Sequence, residues 1–162
     1  GTTAADSSGN AHDGTFVGAP AWVAGQVGGA ASFDGTDDSI VAESVAVNTA
    51  AGGFNTVAFW MKWNGTDTQM PFGWGNKYDL CFYSGWFGVN TGQGDILGIS
   101  PAGMSGNWVH VAAVFPNGVP SPSNTQIYIN GVAQTVTVRL GTATSKTATS
   151  NIPILIGTGV SA

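Results

Sequence analysis

Between residues 74 and 93 the chain concentrates ring and amide side chains: Trp74, Tyr78, Tyr83 and Trp86, with Asn76, Asp79, Asn90 and Gln93 close by. A sugar presents C–H faces that stack on indole and phenol rings. Its hydroxyls pair with Asn, Gln and Asp. The set therefore reads as a glycan-binding surface, with Trp74, Tyr78, Tyr83, Trp86, Asn90 and Gln93 as the ligand-binding residues. The competing use is to bridge two sheets, since aromatics dominate cores. The glycan reading expects at least one of Trp74 and Trp86 to be exposed. Trp22, Trp60, Trp63 and Trp108 fall within strand patterns and are assigned to core or sheet packing.

A second group of side chains could hold a hard cation. Such ions need several oxygens from carboxylates, amides and backbone carbonyls. Asp6, Ser7, Asn10 and Asp13 supply them in a compact, glycine-containing loop, so Asp6, Asn10 and Asp13 are candidate calcium ligands. The alternative is that Asp6 and Asn10 make turn hydrogen bonds to their own backbone. Asp34-Gly-Thr-Asp-Asp38 is a second candidate, read first as a turn.

Bond-breaking chemistry has less to work with. Retaining glycoside hydrolysis needs two carboxyl groups about 5–5.5 Å apart. The chain has one glutamate, Glu43, with no second carboxylate on its strand; Asp37 and Asp38 sit in a turn, and Asp79 and Asp95 stand apart in sequence. His12 lies in a Gly/Asp turn, and His110 lies in an apolar strand, where a hydrogen-bonded core role is expected. Cys81, between Leu80 and Phe82, reads as a small apolar filler. No His/Cys group has zinc spacing. The reading is therefore not an enzyme.

The elements that must position these groups are strands. Gly106 to Phe115 is the strongest: Val109, Val111, Ala113 and Phe115 on one face, Trp108, His110, Ala112 and Val114 on the other. Both faces are largely apolar, which predicts a central strand covered on both sides. Phe54 to Trp63 is the next, with Val57, Phe59, Met61 and Trp63 as its core face. Four short segments between Met70 and Ile99 are spaced as a meander with glycine at most corners. Asn130-Gly131 between two apolar runs, Gln126–Ile129 and Val132–Leu140, is the clearest hairpin. Ala30–Phe33 and Ser39–Ala42, joined by a Gly/Asp-rich link, suggest another.

Composition agrees. The 162 residues include 25 glycines and 7 prolines, too many for long helices. A net charge of -5 with only four Lys/Arg removes the basic patch that nucleic-acid binding needs. No apolar run is long enough for a membrane-spanning helix. One cysteine makes no intrachain disulfide. A Thr/Ser/Gly/Asn-rich, Lys-poor chain suggests an extracellular or surface-associated setting.

Several motifs in order carry a family resemblance. They are Asp6-Ser-Ser-Gly-Asn10, Asp13-Gly-Thr15, Gly28 to Asp38, Phe54-x-Thr-Val-Ala-Phe-Trp-Met-Lys62, Asn107-Trp-x-His-Val-Ala112, Ile127-Tyr-Ile-Asn-Gly131 and Ile154-Leu-Ile-Gly157. Together they resemble the concanavalin A-like, laminin-G-like superfamily, most weakly over residues 64–100. The resemblance implies an all-β, two-sheet antiparallel jelly-roll sandwich, and a structural calcium in the Asp6 loop. It also implies a first and a last strand that are not found here. The chain is therefore expected to be one domain of a longer protein, with a neighbouring domain or subunit covering an open sheet edge. The function expected is a non-catalytic, lectin-like glycan-binding module. The alternative is a structural or adhesive sandwich in a cell-surface, filament or phage assembly.

Overall fold

The computed structural model describes residues 2–75, 77–92 and 94–159. No helix occurs among them. In chain order the strands are β1 (Thr3–Ala4), β2 (Gly14–Val17), β3 (Ala21–Ala24), β4 (Gly29–Ser32), β5 (Ser39–Ala42), β6 (Phe54–Lys62), β7 (Gln69–Trp74) and β8 (Tyr78–Tyr83). Then follow β9 (Trp86–Asn90), β10 (Ile96–Ile99), β11 (Trp108–Pro116), β12 (Gln126–Ile129), β13 (Val132–Ala133), β14 (Thr137–Leu140) and β15 (Ile154–Gly159). Every pairing is antiparallel.

A nine-stranded sheet runs β1-β2-β5-β15-β7-β8-β9-β10-β14, and a four-stranded sheet runs β13-β12-β11-β6. The inner faces of these two sheets make the core. Phe72, Leu80, Phe82, Phe87, Val89, Leu97 and Ile99 from the large sheet share one buried cluster with Val109, Val111, Ala113, Phe115 and Ile127 from the small one. Alternation puts these side chains on one side of each strand, because successive Cβ atoms point to opposite faces. Trp63 joins the layers by stacking on Phe82 at 3.9 Å between centroids. Buried Asn117 ties loops across the same gap. Its Nδ2 donates to Asn48 O and Ala50 O, and its Oδ1 accepts from Ala148 N.

Several expectations hold. β7 to β10 are consecutive neighbours in the large sheet, as a meander requires. Asn130 and Gly131 both have positive φ, 52° and 79°, in the two-residue turn between β12 and β13.

Others are corrected. Among the described residues β11 is covered on one face only: Val109, Val111, Ala113 and Phe115 are buried, whereas Trp108, His110, Ala112 and Val114 are half-exposed because no described layer lies over them. The run from Val132 to Leu140 is two strands, since β14 crosses to pair with β10 in the other sheet. Ala30–Phe33 and Ser39–Ala42 do not form a hairpin. β4 pairs with β3 in a separate two-stranded ribbon, and β5 pairs with β2 and β15.

Candidate functional site

The outer face of the large sheet, opposite the core, gathers most of the chemistry. Its rungs follow from register. Gly73, Asp79 and Asn90 lie side by side on β7, β8 and β9. Cys81, Gly88 and Gly98 form the next rung, and Tyr83 pairs with Trp86 beyond it. Gly88, Gly98 and Cys81 are buried between a polar end and an aromatic end. Tyr83 and Trp86 are half-buried and pack on a small cluster of Met70, Cys81 and Ile96. The Arg139 guanidinium sits over the Trp86 ring, 4.3 Å from its centroid. Arg139 Nε donates to Gly98 O at 3.2 Å, which fixes the cation there.

The six expected ligand residues divide. Tyr83 and Trp86 are partly open to solvent on this face. Trp74, Tyr78 and Asn90 are buried, at 3%, 1% and 3% exposed, so they do not join Tyr83 and Trp86 at the surface. Trp74 and Tyr78 belong to the main core, and the Tyr78 hydroxyl bonds to Pro116 O and Lys146 O. Asn90 Oδ1 accepts from Gly92 N. Gln93 lies outside the described residues. The tryptophans assigned to packing also divide, with Trp22 and Trp60 being 50% and 42% exposed. Trp60 meets His110 edge-on at 5.3 Å on the outer face of the small sheet. Arg139 was missed. Its signal was local: a lone cation on a strand alternating with Val138 and Leu140.

Asp79 and Asp95 come closer than their separation in sequence suggested. The Asp79 carboxyl is pushed up to about 6, first by burial and then by the charge of Asp95, with Lys146 opposing. Asp95 is 1% exposed, and its oxygens accept from Thr91 N and Thr91 Oγ1. Cys81 is buried, and its thiol is pushed up to about 12, chiefly by burial and then by neighbouring carboxylates, as suits a filler.

The Asp6 loop is organised by hydrogen bonds. Ser8 N donates to Asp6 Oδ1, while Ser8 Oγ and His12 N donate to Oδ2. Asp13 Oδ1 accepts from Asp6 N at 2.7 Å, and Asn10 Nδ2 donates to Ser8 Oγ. The backbone bonds from His12 and Ser8 hold the Asp6 carboxyl down at about 2. This is the turn arrangement set against calcium above. The other candidate is a cluster of three carboxylates: Asp34, Asp37 and Asp38 bring one oxygen each to within 4.8 Å of one another. Such a donor set fits a hard cation.

A family model described as the concanavalin A-like lectin/glucanases superfamily (Laminin_G_3) matches residues 33–161. The chain belongs to this superfamily. Among solved structures, domain 4 of AbnA, a GH43 extracellular arabinanase from Geobacillus stearothermophilus in complex with arabinotriose, superposes on this superfamily member with a TM-score of 0.64. The identity is 20%, and the match covers 98% of this chain and 79% of that one. It shows a shared fold. No curated protein matches. No helix among the described residues is long and apolar enough to cross a membrane.

Proposed function

We propose that this domain is a non-catalytic carbohydrate-binding module of an extracellular or surface protein, and that glycan lies on the outer face of the large sheet at Trp86. The observation that carries this is the half-exposed Trp86–Tyr83 pair on the outer face, with the Arg139 guanidinium fixed over the indole. The rings offer stacking surfaces, and Arg139 offers donors to sugar hydroxyls. The solved arabinanase domain, which has the same fold and carries arabinotriose, supports a sugar as the ligand. Calorimetry against a panel of oligosaccharides, arabinotriose included, tests it. Trp86→Ala is expected to weaken binding at least about tenfold, which is about 1.4 kcal/mol. Trp22→Ala, on the separate ribbon, should leave affinity unchanged. Failure of the intact domain to bind any member of the panel removes the reading.

The second reading is a structural or adhesive sandwich. It draws support from the burial of Trp74 and Tyr78, which spend their rings on the core.

We also infer a structural calcium at Asp34, Asp37 and Asp38. An ion that binds only the folded chain stabilises it by mass action, about 2.7 kcal/mol at a hundredfold excess over Kd. Millimolar calcium should raise the melting temperature, and Asp37→Asn should abolish the rise while Asp13→Asn keeps it. The reverse pattern would put the ion in the Asp6 loop.

A further inference from the structure

Arg139 stands on β14, the edge strand of the large sheet, and reaches past β10 to a ring on β9. Two contacts hold it there. Nε donates to Gly98 O at 3.2 Å, and the guanidinium lies 4.3 Å from the centre of the Trp86 ring. The residue is half-buried. A guanidinium carries five N–H donors in a rigid, planar fork, and the bond to Gly98 engages one of them. The indole attracts the charge through its ring face and accepts no fork of hydrogen bonds.

The carboxylates whose charge reaches Cys81 on this face are Asp79, Asp95 and Asp67. Each has its own neighbour. Asp95 accepts from Thr91 N and Oγ1, Asp67 Oδ2 accepts from Gly85 N, and the charge of Lys146 acts on Asp79. Arg139 is held instead by a neutral carbonyl and a neutral ring. In a chain with nine Asp/Glu and four Lys/Arg, the contacts that fix this cation match it to no anion. A sugar hydroxyl would accept one N–H and leave the charge unmatched. A carboxylate has two oxygens in a plane. It takes two parallel N–H bonds from such a fork, each roughly twice as strong as a neutral one.

We propose that the Trp86 surface selects acidic sugars: a uronic acid unit lies against Tyr83 and places its carboxylate on the Nη groups of Arg139. This rests on the outer-face glycan reading above and narrows it to one class of ligand. Tyr83 is directly opposite Trp86 in the β8–β9 ladder, so their Cβ atoms are about 5 Å apart. The guanidinium already covers part of the indole, which leaves Tyr83 as the stacking surface and makes Trp86 the platform that holds the cation. In a uronic acid the carboxylate projects from the rim of the sugar ring. A ring stacked on Tyr83 can therefore present that group to the neighbouring guanidinium. Lysine would supply the charge without the fork.

Calorimetry at pH 7 with matched trimers tests this. The pairs are trigalacturonate against galactotriose, and triglucuronate against glucotriose, each pair sharing one linkage. The acidic member of at least one pair is expected to bind at least about tenfold more tightly than its neutral partner. Its affinity should fall as sodium chloride rises from about 20 mM to about 300 mM, while that of the neutral partner stays level. Arg139→Gln should abolish the preference and Arg139→Lys should lose most of it, with melting curves confirming that both variants fold. The matched pairs and the salt series need no substitution, so they decide the matter even if a variant is unstable. Equal affinity within both pairs, binding confined to neutral sugars, or a preference that survives Arg139→Gln overturns the proposal and leaves the glycan reading standing. Binding of no trimer and of no member of the wider panel overturns both.

Discussion

Gly98→Ala is expected to destabilise the domain by about 3 kcal/mol or more, at the top of the range for overpacking. A Cβ at Gly98 would lie 2.1 Å from Phe87 O and 2.6 Å from Gly88 Cα. Both are backbone atoms of β9, which is hydrogen-bonded on both edges and cannot step aside. The reciprocal position behaves alike, since a Cβ at Gly88 would lie 2.4 Å from Leu97 O. Two strands thus approach through facing glycines, where any side chain would wedge the sheet apart. Gly29→Ala is the matched control. A Cβ there finds nothing nearer than 3.8 Å, so its cost should stay within about 0.5 kcal/mol. Urea unfolding measures both. A Gly98→Ala protein as stable as its parent would mean that β9 and β10 are not in this contact.

Asp79→Asn should act in the opposite direction and depend on pH. The Asp79 carboxyl rises from 3.8 to about 6 in the folded chain. Burial and the charge of Asp95 together outweigh the opposing charge of Lys146. Between about pH 4 and pH 6 the folded state holds a proton that the unfolded state has released. Stability therefore falls as pH rises through this window and is flat above it. A shift of about two units corresponds to about 3 kcal/mol as an upper bound, at 1.36 kcal/mol per unit. Asparagine keeps the shape and removes the charge, so the variant should be about 1–3 kcal/mol more stable at pH 7 and equal to the parent near pH 4. Melting curves from pH 4 to pH 8 read this directly. A variant whose gain is independent of pH would show that the carboxylate is not the source of the penalty. Asp6 has the opposite dependence: its carboxyl, held at about 2, supports the fold above pH 4 and ceases to as pH falls through 2.

Much of the fold was legible because strand chemistry is local. Alternation in Val109–Phe115 identifies a buried face, and Asn130-Gly131 dictates a two-residue turn. What lies opposite a face is not local. The outer side of β11 is apolar in sequence, yet half-exposed because no third layer among the described residues covers it. The same limit explains the pairing of β5 with β2 and β15. Turn residues at 34–38 are compatible with a hairpin, but pairing is decided by partners far along the chain.

The candidate site was legible only in part, for a related reason. Residues on one strand alternate between core and outer face, so a cluster that is compact in sequence is split between the two. Tyr78 and Tyr83 share β8, yet they point to opposite sides. Trp74 pairs with Tyr78 and follows it into the core, while Trp86 pairs with Tyr83 and does not. Asn90 shares the outer side but is covered.

The position of β15 between β5 and β7 decides how the domain would respond to being pulled. A tether running on from this strand would load two ladders at once, over 154–156 with β5 and 154–159 with β7, so their bonds would resist together in shear. A tether at the other end would act on β1, a two-residue edge strand that peels from β2 one rung at a time. The two ends of the domain are therefore mechanically unequal, with the firm grip on the C-terminal side.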